Sequence, residues 1–276
     1  MRVVALGGGH GLFASLSALR RVTRQLTAIV TVADDGGSSG VLRRDFGVLP
    51  PGDLRMALAA LCGDDPWGTT WSRVVQHRFG GDGDLGGHAV GNVLIVALWE
   101  LLGDTVQGLD WVGRLLGAHG RVLPMASVPL DLVAEVEGLD PARPNEITLV
   151  RGQAECASTT GRVRSVSLIP PDPPACPEAV AAVHAADWVV FGPGSWFTSV
   201  LPHLLVPELA DALISTPARR VLGERAAAAG SAAELDKAAA MLGGRLVLTE
   251  LAMRDGSPRH DPRRLAGAFA EIFEGE

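Results

Sequence analysis

Arg2-Val3-Val4-Ala5-Leu6-Gly7-Gly8-Gly9-His10-Gly11 passes from an apolar run straight into a glycine-dense turn. Leu12, Phe13, Leu16 and Leu19 then recur at helical spacing. A second apolar run, residues 27–32, ends in Ala33-Asp34-Asp35-Gly36-Gly37-Ser38-Ser39-Gly40. The order is strand, glycine loop, helix, strand, second glycine loop. Strands that alternate with helices predict a parallel sheet. Both loops would leave the carboxyl ends of their strands, where open α/β sheets bind ligands.

Glycines without Cβ let main-chain N–H groups approach an anion closely. A helix opening at Gly11 adds its positive end, so a phosphate suits Gly8, Gly9, His10 and Gly11. The bland alternative is a tight strand-to-helix turn. A dinucleotide fingerprint fits less well, because Leu12 stands where its third glycine is required. Asp34 does follow the second strand, where a ribose-binding acid would be. Yet Asp34-Asp35 before Gly36-Gly37-Ser38-Ser39 reads better as a metal or phosphate loop. Paired carboxylates suit a hard cation such as Mg²⁺, and serine hydroxyls can donate to phosphate oxygens. A capped, solvated turn is the alternative for that pair.

The chain of 276 residues has room for one large α/β domain or two small ones, and 47% hydrophobic residues supply a substantial core. A net charge of −7 argues against a nucleic-acid surface. Lys237 is the sole lysine, in an Ala-rich stretch with helical character, so a P-loop or Schiff-base lysine has no good candidate. Tyrosine is absent. Cys62, Cys156 and Cys176 show neither a CxxC pair nor zinc spacing, which fits reduced thiols in a cytoplasmic protein. Met1-Arg2 enters a strand directly, with no signal peptide in view, and no apolar run reaches membrane-spanning length, so no membrane insertion is expected.

Further along, Asp53 is placed to cap a helix running through Leu61, with Arg55 in its first turn close to the loops. Residues 71–79 read as a helix and residues 80–87 as a loop. Gly87-His88-Ala89-Val90-Gly91-Asn92 opens an apolar helix over 93–102. Its start, with His88 and Asn92, is a second anion-friendly terminus; the alternative is a buried helix start. A helix over 109–118 comes next. Residues 121–137, 146–151 and 162–169 read as successive strands, hence an antiparallel, β-rich insertion near 121–169. After a helix over 178–186 comes the buried strand Trp188-Val189-Val190-Phe191. It ends in Gly192-Pro193-Gly194-Ser195, with Thr198 beyond. GxSxG is absent, so Ser195 reads as a helix cap facing a phosphate or base edge rather than a nucleophile. Residues 204–214 continue as helix. Three strand–glycine–helix junctions would form one rim at the carboxyl edge of the sheet.

Together the 7–12, 30–40, 50–55, 87–92 and 192–195 motifs closely resemble the YvcK family, the gluconeogenesis factors, which are relatives of the CofD 2-phospho-L-lactate transferases. The likeness runs from the first strand to about Leu222 and is similar to the actinobacterial branch. It implies a Rossmann-like three-layer α/β/α sandwich with a mostly parallel sheet, as one domain over 1–276. It further implies a cytoplasmic protein that binds UDP-sugars such as UDP-N-acetylglucosamine and is linked to cell shape, cell-wall synthesis and gluconeogenic growth. No reaction is securely assigned to that family, whereas the CofD relatives transfer a phospho-acid-bearing group to a deazaflavin with Mg²⁺. Three departures stand out. His10 replaces a common Thr, and His203 a common Asn. Roughly thirty residues of the family pattern are missing at 222/223, a length judged against a strand–loop–helix unit.

The residues leave three functional readings open. The first is a nucleotide-sugar-binding regulator without turnover, the second a Mg²⁺-dependent CofD-like transferase, the third an NAD-binding protein. No catalytic residue is assigned. The ligand site is expected from Gly8, Gly9, His10, Gly11, Asp34, Asp35, Gly36, Gly37, Ser38, Ser39, Asp53, Arg55, His88, Asn92, Gly192, Gly194, Ser195 and Thr198. Asp34 and Asp35 are the metal candidates. The expected partner is a UDP-sugar or related nucleotide, with no nucleic acid, and with a homo-oligomer left open.

Overall fold

In a computed structural model, residues 1–192, 194–222, 245–246 and 261–274 are described. Lys237 and the stretch beyond the 222/223 junction lie outside them, apart from residues 245–246 and 261–274. Six strands form one sheet: β1 (Arg2–Gly7), β2 (Gln25–Val30), β3 (Arg121–Pro124), β7 (Trp188–Phe191), β8 (Arg219–Leu222) and β9 (Arg245–Leu246). Their order is β3-β2-β1-β7-β8-β9, and every pairing is parallel. With the strands of the inserted sheet left out, this is the doubly wound order 3-2-1-4-5-6. The order reverses between β1 and β7, so the crevice at the carboxyl ends of those two strands is the switch point. Val3, Val4, Ala5 and Leu6 are buried, as a central parallel strand covered on both faces requires.

Helices flank the sheet. α1 (Gly9–Leu19) leads from β1 to β2. Between β2 and β3 lie α2 (Gly37–Phe46), α3 (Pro51–Ala60), α4 (Pro66–Gln76), α5 (Val90–Leu102) and α6 (Thr105–Leu116). α8 (Pro177–Ala185) precedes β7, and α9 (Pro207–Ser215) precedes β8. α1 packs against α3 and against the last described helix, α10 (Pro262–Glu274). No single described helix is long and apolar enough to cross a membrane.

Several expectations need correction. Strand 121–124 is not part of the insertion: it pairs in parallel with β2 in the main sheet. The inserted unit is an antiparallel sheet of β4 (Asp131–Glu137), β5 (Ile147–Arg151) and β6 (Arg162–Ile169) in the order β5-β4-β6, and it carries a short helix α7 (Gln153–Ser158). The second glycine loop ends early, because α2 begins at Gly37 and puts Ser38 and Ser39 in its first turn. The helix expected over 71–79 runs from Pro66 to Gln76, capped by Asp65, whose side chain accepts from the Gly68 amide. α5 starts at Val90, not 93. Residues 204–214 are not one helix: a 3₁₀ turn (Leu201–Leu205) breaks before Pro207, which cannot continue an i→i−4 ladder.

Candidate functional site

Thr31 and Ser15 hold the switch point together. The Thr31 hydroxyl lies 3.2 Å from the Gly7 carbonyl and 3.0 Å from that of Ser199, so the ends of β1 and β2 and the turn after β7 meet at one side chain. Ser15 Oγ donates to the Gly192 carbonyl at 2.9 Å, bringing α1 against the turn after β7. Neither residue stood out in the sequence. Thr31, at the end of a buried apolar run, was the readable one. Gly9 has φ +55°, which glycine adopts without strain, and it is the first residue of α1. His10 is exposed beside it, while Gly8 is buried.

Asp53 was expected to cap α3. Pro50 occupies the cap position instead, and Asp53 sits in the first turn after Pro51, a residue favoured there because it has no N–H to leave unpaired. Its carboxylate turns toward the first glycine loop. It accepts a hydrogen bond from the Gly9 amide, and a Cβ on Gly8 would come within 2.5 Å of Asp53 Oδ2. Burial, and then the negative Asp34 nearby, push the Asp53 pKa from 3.8 to about 7, against the smaller opposing pulls of Gly9 and Arg55. The residue as a whole is half-buried.

Asp34 and Asp35, adjacent in sequence, face different partners. Asp34 Oδ1 accepts from the Gly36 amide at 3.0 Å, and its other oxygen lies against Gly52 beside Ser39, on the Asp53 side. Asp35 leaves that group: it accepts from the Gln153 and Ala154 amides at 3.1 and 3.4 Å and so holds the start of α7. The carboxylates that share a space are therefore Asp34 and Asp53. No cluster of three His, Cys, Asp or Glu suited to a metal occurs among the described residues. Two carboxylates that share a space do fit Mg²⁺, which commonly takes one or two carboxylates plus ligand phosphates.

A buried polar chain joins α2, α3 and α5. Arg55 Nε donates to Asn92 Oδ1 at 2.9 Å, Asn92 Nδ2 donates to Ser38 Oγ at 3.0 Å, and His88 Nδ1 lies 3.2 Å from the same oxygen. Arg55 is 6% exposed, and burial together with the Arg78 guanidinium lowers its pKa. Gly91 makes room for this packing, since a Cβ there would meet the Arg55 side chain at 2.8 Å. No pattern of residue types pointed to Arg78, which reaches the group because residues 78 and 89 form an isolated antiparallel bridge.

On the other side of the crevice, Gly194 and Ser195 stay at the surface, and Ser195 Oγ accepts from the Thr198 amide at 3.4 Å. Beyond Ser195 the chain makes a five-residue π-helical turn (Trp196–Val200), not an α-helix start. Thr198 is buried, and its carbonyl accepts from Gln153 Nε2 at 3.0 Å, so α7 bridges Asp35 and this turn. His203 is fully buried with its two ring nitrogens 3.2 and 3.1 Å from the carbonyls of Val200 and Ile29. Burial pushes its pKa down to about 4, against the opposing pull of these carbonyls, and the ring links β2 to this turn.

The expected residues thus form an open rim of Gly9, His10, Gly11, Asp34, Gly36, Gly37, His88, Gly194 and Ser195. Beneath it lies a buried layer of Gly8, Ser38, Ser39, Arg55, Asn92, Gly192 and Thr198, with half-buried Asp53 at its margin. Asp35 alone turns away to the insertion.

A family model described as 2-phospho-L-lactate transferase CofD matches residues 3–241. A Mycobacterium leprae protein named provisionally as a gluconeogenesis factor is 60% identical over 220 residues, 80% of this chain and 61% of its own length. The gluconeogenesis factor of Listeria monocytogenes is 42% identical over 223 residues, 80% of this chain and 65% of its own. The chain thus spans less than two thirds of the length of these relatives. The crystal structure of a UPF0052-family protein from Bacillus halodurans superposes with a TM-score of 0.78 at 28% identity, covering 97% of both chains. With the switch-point crevice, these matches lead to one conclusion: the chain carries a CofD-like domain and belongs to the gluconeogenesis factor family.

Proposed function

We propose that this chain is a nucleotide-sugar-binding regulator that takes a UDP-sugar at the β1/β7 switch point. The carrying observation is the Ser15–Gly192 hydrogen bond, which sets the amide-rich start of α1 against the turn that presents Gly194 and Ser195. A diphosphate fits the His10 and Gly11 amides, where fixed donors and the helix terminus favour negative charge. The nucleoside extends toward Ser195, whose hydroxyl hydrogen remains available for donation. The sugar then faces Asp34, Asp53 and His88, where carboxylates accept from hydroxyls. The links to cell shape, cell-wall synthesis and carbon metabolism, and a cytoplasmic location, belong to the same reading.

A second reading is a CofD-like transferase. The pairing of Asp34 with Asp53 favours it, because a Mg²⁺ held there would bridge to ligand phosphates and relieve the repulsion between them. Calorimetric titration with UDP, UDP-sugars, GDP, a deazaflavin and NAD, with and without Mg²⁺, separates the readings. Micromolar UDP-sugar binding, lost in Gly9→Val because valine cannot adopt φ +55°, is the expected result. Normal UDP binding by a folded Gly9→Val variant removes the phosphate from this loop. Tight deazaflavin binding only with Mg²⁺ favours the transferase.

A further inference from the structure

α7 joins the two segments that follow the neighbours of β1 in the sheet, β2 and β7. Its first two amides, those of Gln153 and Ala154, donate to Asp35 Oδ1 in the loop after β2, at 3.1 and 3.4 Å. The Gln153 side chain reaches the other way. Its Nε2 donates to the Thr198 carbonyl, in the turn after β7, at 3.0 Å. Each anchor is attached to the rim of the crevice: Asp35 lies between Asp34 and Gly36, and the Thr198 amide donates to Ser195 Oγ. A short helix of the inserted unit therefore straps the two walls together. Thr31 already ties Ser199 of the same turn to the end of β2. The walls thus stay close if α7 lifts, and what α7 sets is their fine spacing.

The strap has little to hold it besides these bonds. Six residues fall far short of the length at which an isolated helix is stable. Ala154, Glu155, Ala157 and Ser158 are exposed, and Cys156 is buried. Gly152, at the root of α7, has φ +108°, and a side chain there would collide with Asp35 Oδ2. The root of the inserted sheet is fixed separately. Arg43 of α2 donates to the Leu130 carbonyl at 2.8 Å and to Asp131 Oδ1 at 2.6 Å. α7 can accordingly leave the crevice while the sheet stays on α2. Segments of such low local stability are the ones from which gates are drawn.

We infer that α7 is a strap that couples the two walls and so links its own docking to ligand binding at the switch point, with Gln153 as the positioning residue. The link to a ligand rests on the reading of the crevice as a UDP-sugar site. A UDP-sugar touches both walls, with its sugar at Asp34 and its nucleoside at Ser195, and holds them at the spacing that Gln153 spans. A docked α7 in turn orders both walls beforehand, which removes part of the cost of binding. The coupling is reciprocal: the factor by which ligand favours docking is the factor by which docking favours ligand. Pyrophosphate, confined to the start of α1, touches neither wall and leaves α7 as it was. The inserted unit is thereby a handle on the crevice, since whatever lifts α7 weakens the ligand.

Hydrogen exchange on the ligand-free full chain reads the strap itself. Gln153→Met keeps the length of the side chain and loses the donor. It should quicken exchange across the crevice at the amides of Thr198, Ser199 and Val200, which bond to Ser195. Asp35→Ala should quicken the same three from the opposite wall. A packing role alone would be kept by methionine and would leave that turn unmoved. Calorimetry then reads the ligand. Gln153→Met should weaken UDP-sugar binding about two- to tenfold, the range that one hydrogen bond permits, and pyrophosphate binding not at all. Saturating UDP-sugar should slow exchange at the Gln153 and Ala154 amides by a comparable factor. Unchanged exchange in the 196–200 turn of both variants, or equal UDP-sugar affinity in Gln153→Met and wild type, overturns the strap. Coupled exchange in a wild type that binds no UDP-sugar overturns the ligand reading instead, and the strap between the walls stands.

Discussion

Asp53 carries more of the site's chemistry than its place in the sequence suggests. Followed by Leu54-Arg55, it reads as a cap, yet Pro51 takes the first turn and turns the carboxylate to the Gly9 amide. Only the fold brings Asp34 beside it, so the perturbation could not be read from spacing. An unfolded Asp ionises near 3.8, and in the fold the group keeps its proton up to about 7. A carboxyl with a raised folded pKa stabilises fully below the lower value, and that contribution is lost as pH rises through the upper one. Asp53→Asn removes the ionisation. It should therefore be more stable than wild type at pH 8, by about 2–4 kcal/mol, with the gap shrinking toward pH 4. Denaturant midpoints at both pH values check this; a gap independent of pH would refute it. An anionic ligand at the start of α1, beside Asp53, should likewise bind better as pH falls through 7.

At the scale of elements, legibility followed apolar content. β1, β2, β7 and α5 were readable because continuous or periodic apolar runs mark them. The start of α2 was hidden, because Gly37-Ser38-Ser39-Gly40 has no apolar face and owes its helix to contacts with α3 and α5. The six-residue α7 was hidden for a different reason: too short to hold itself, it is fixed by Asp35, 118 positions away. Likewise the loop motifs were readable as glycine and acid patterns, but which acids share a space was not. Asp35→Ala should cost about 1 kcal/mol locally, the usual worth of a cap. Hydrogen exchange at the Gln153 and Ala154 amides should quicken, while protection in β1 and β2 stays the same. Unchanged exchange at those two amides would show that α7 is held by something else.

For the whole molecule, the resemblance of the 7–12 and 192–195 motifs to known proteins made the doubly wound sheet foreseeable; the switch point needed the strand order. β1 is bonded on one side to β2, its near neighbour in sequence, and on the other to β7. Arg2 N donates to Asp187 at 2.6 Å across a separation of 185 residues. A chain cut after residue 186 should therefore lack the cooperative unfolding transition of the full chain, and a sharp transition in that fragment would contradict this. The same pairing has a temporal side. While the ribosome makes residues 125–187, including the entire inserted sheet, β1 waits with one edge bare. At typical elongation rates that interval is roughly 3–12 s, long compared with hydrophobic collapse, which takes microseconds. The nascent amino-terminal half is thus a natural client for a chaperone, and synonymous codons that slow translation through the insertion should lower the yield of folded protein.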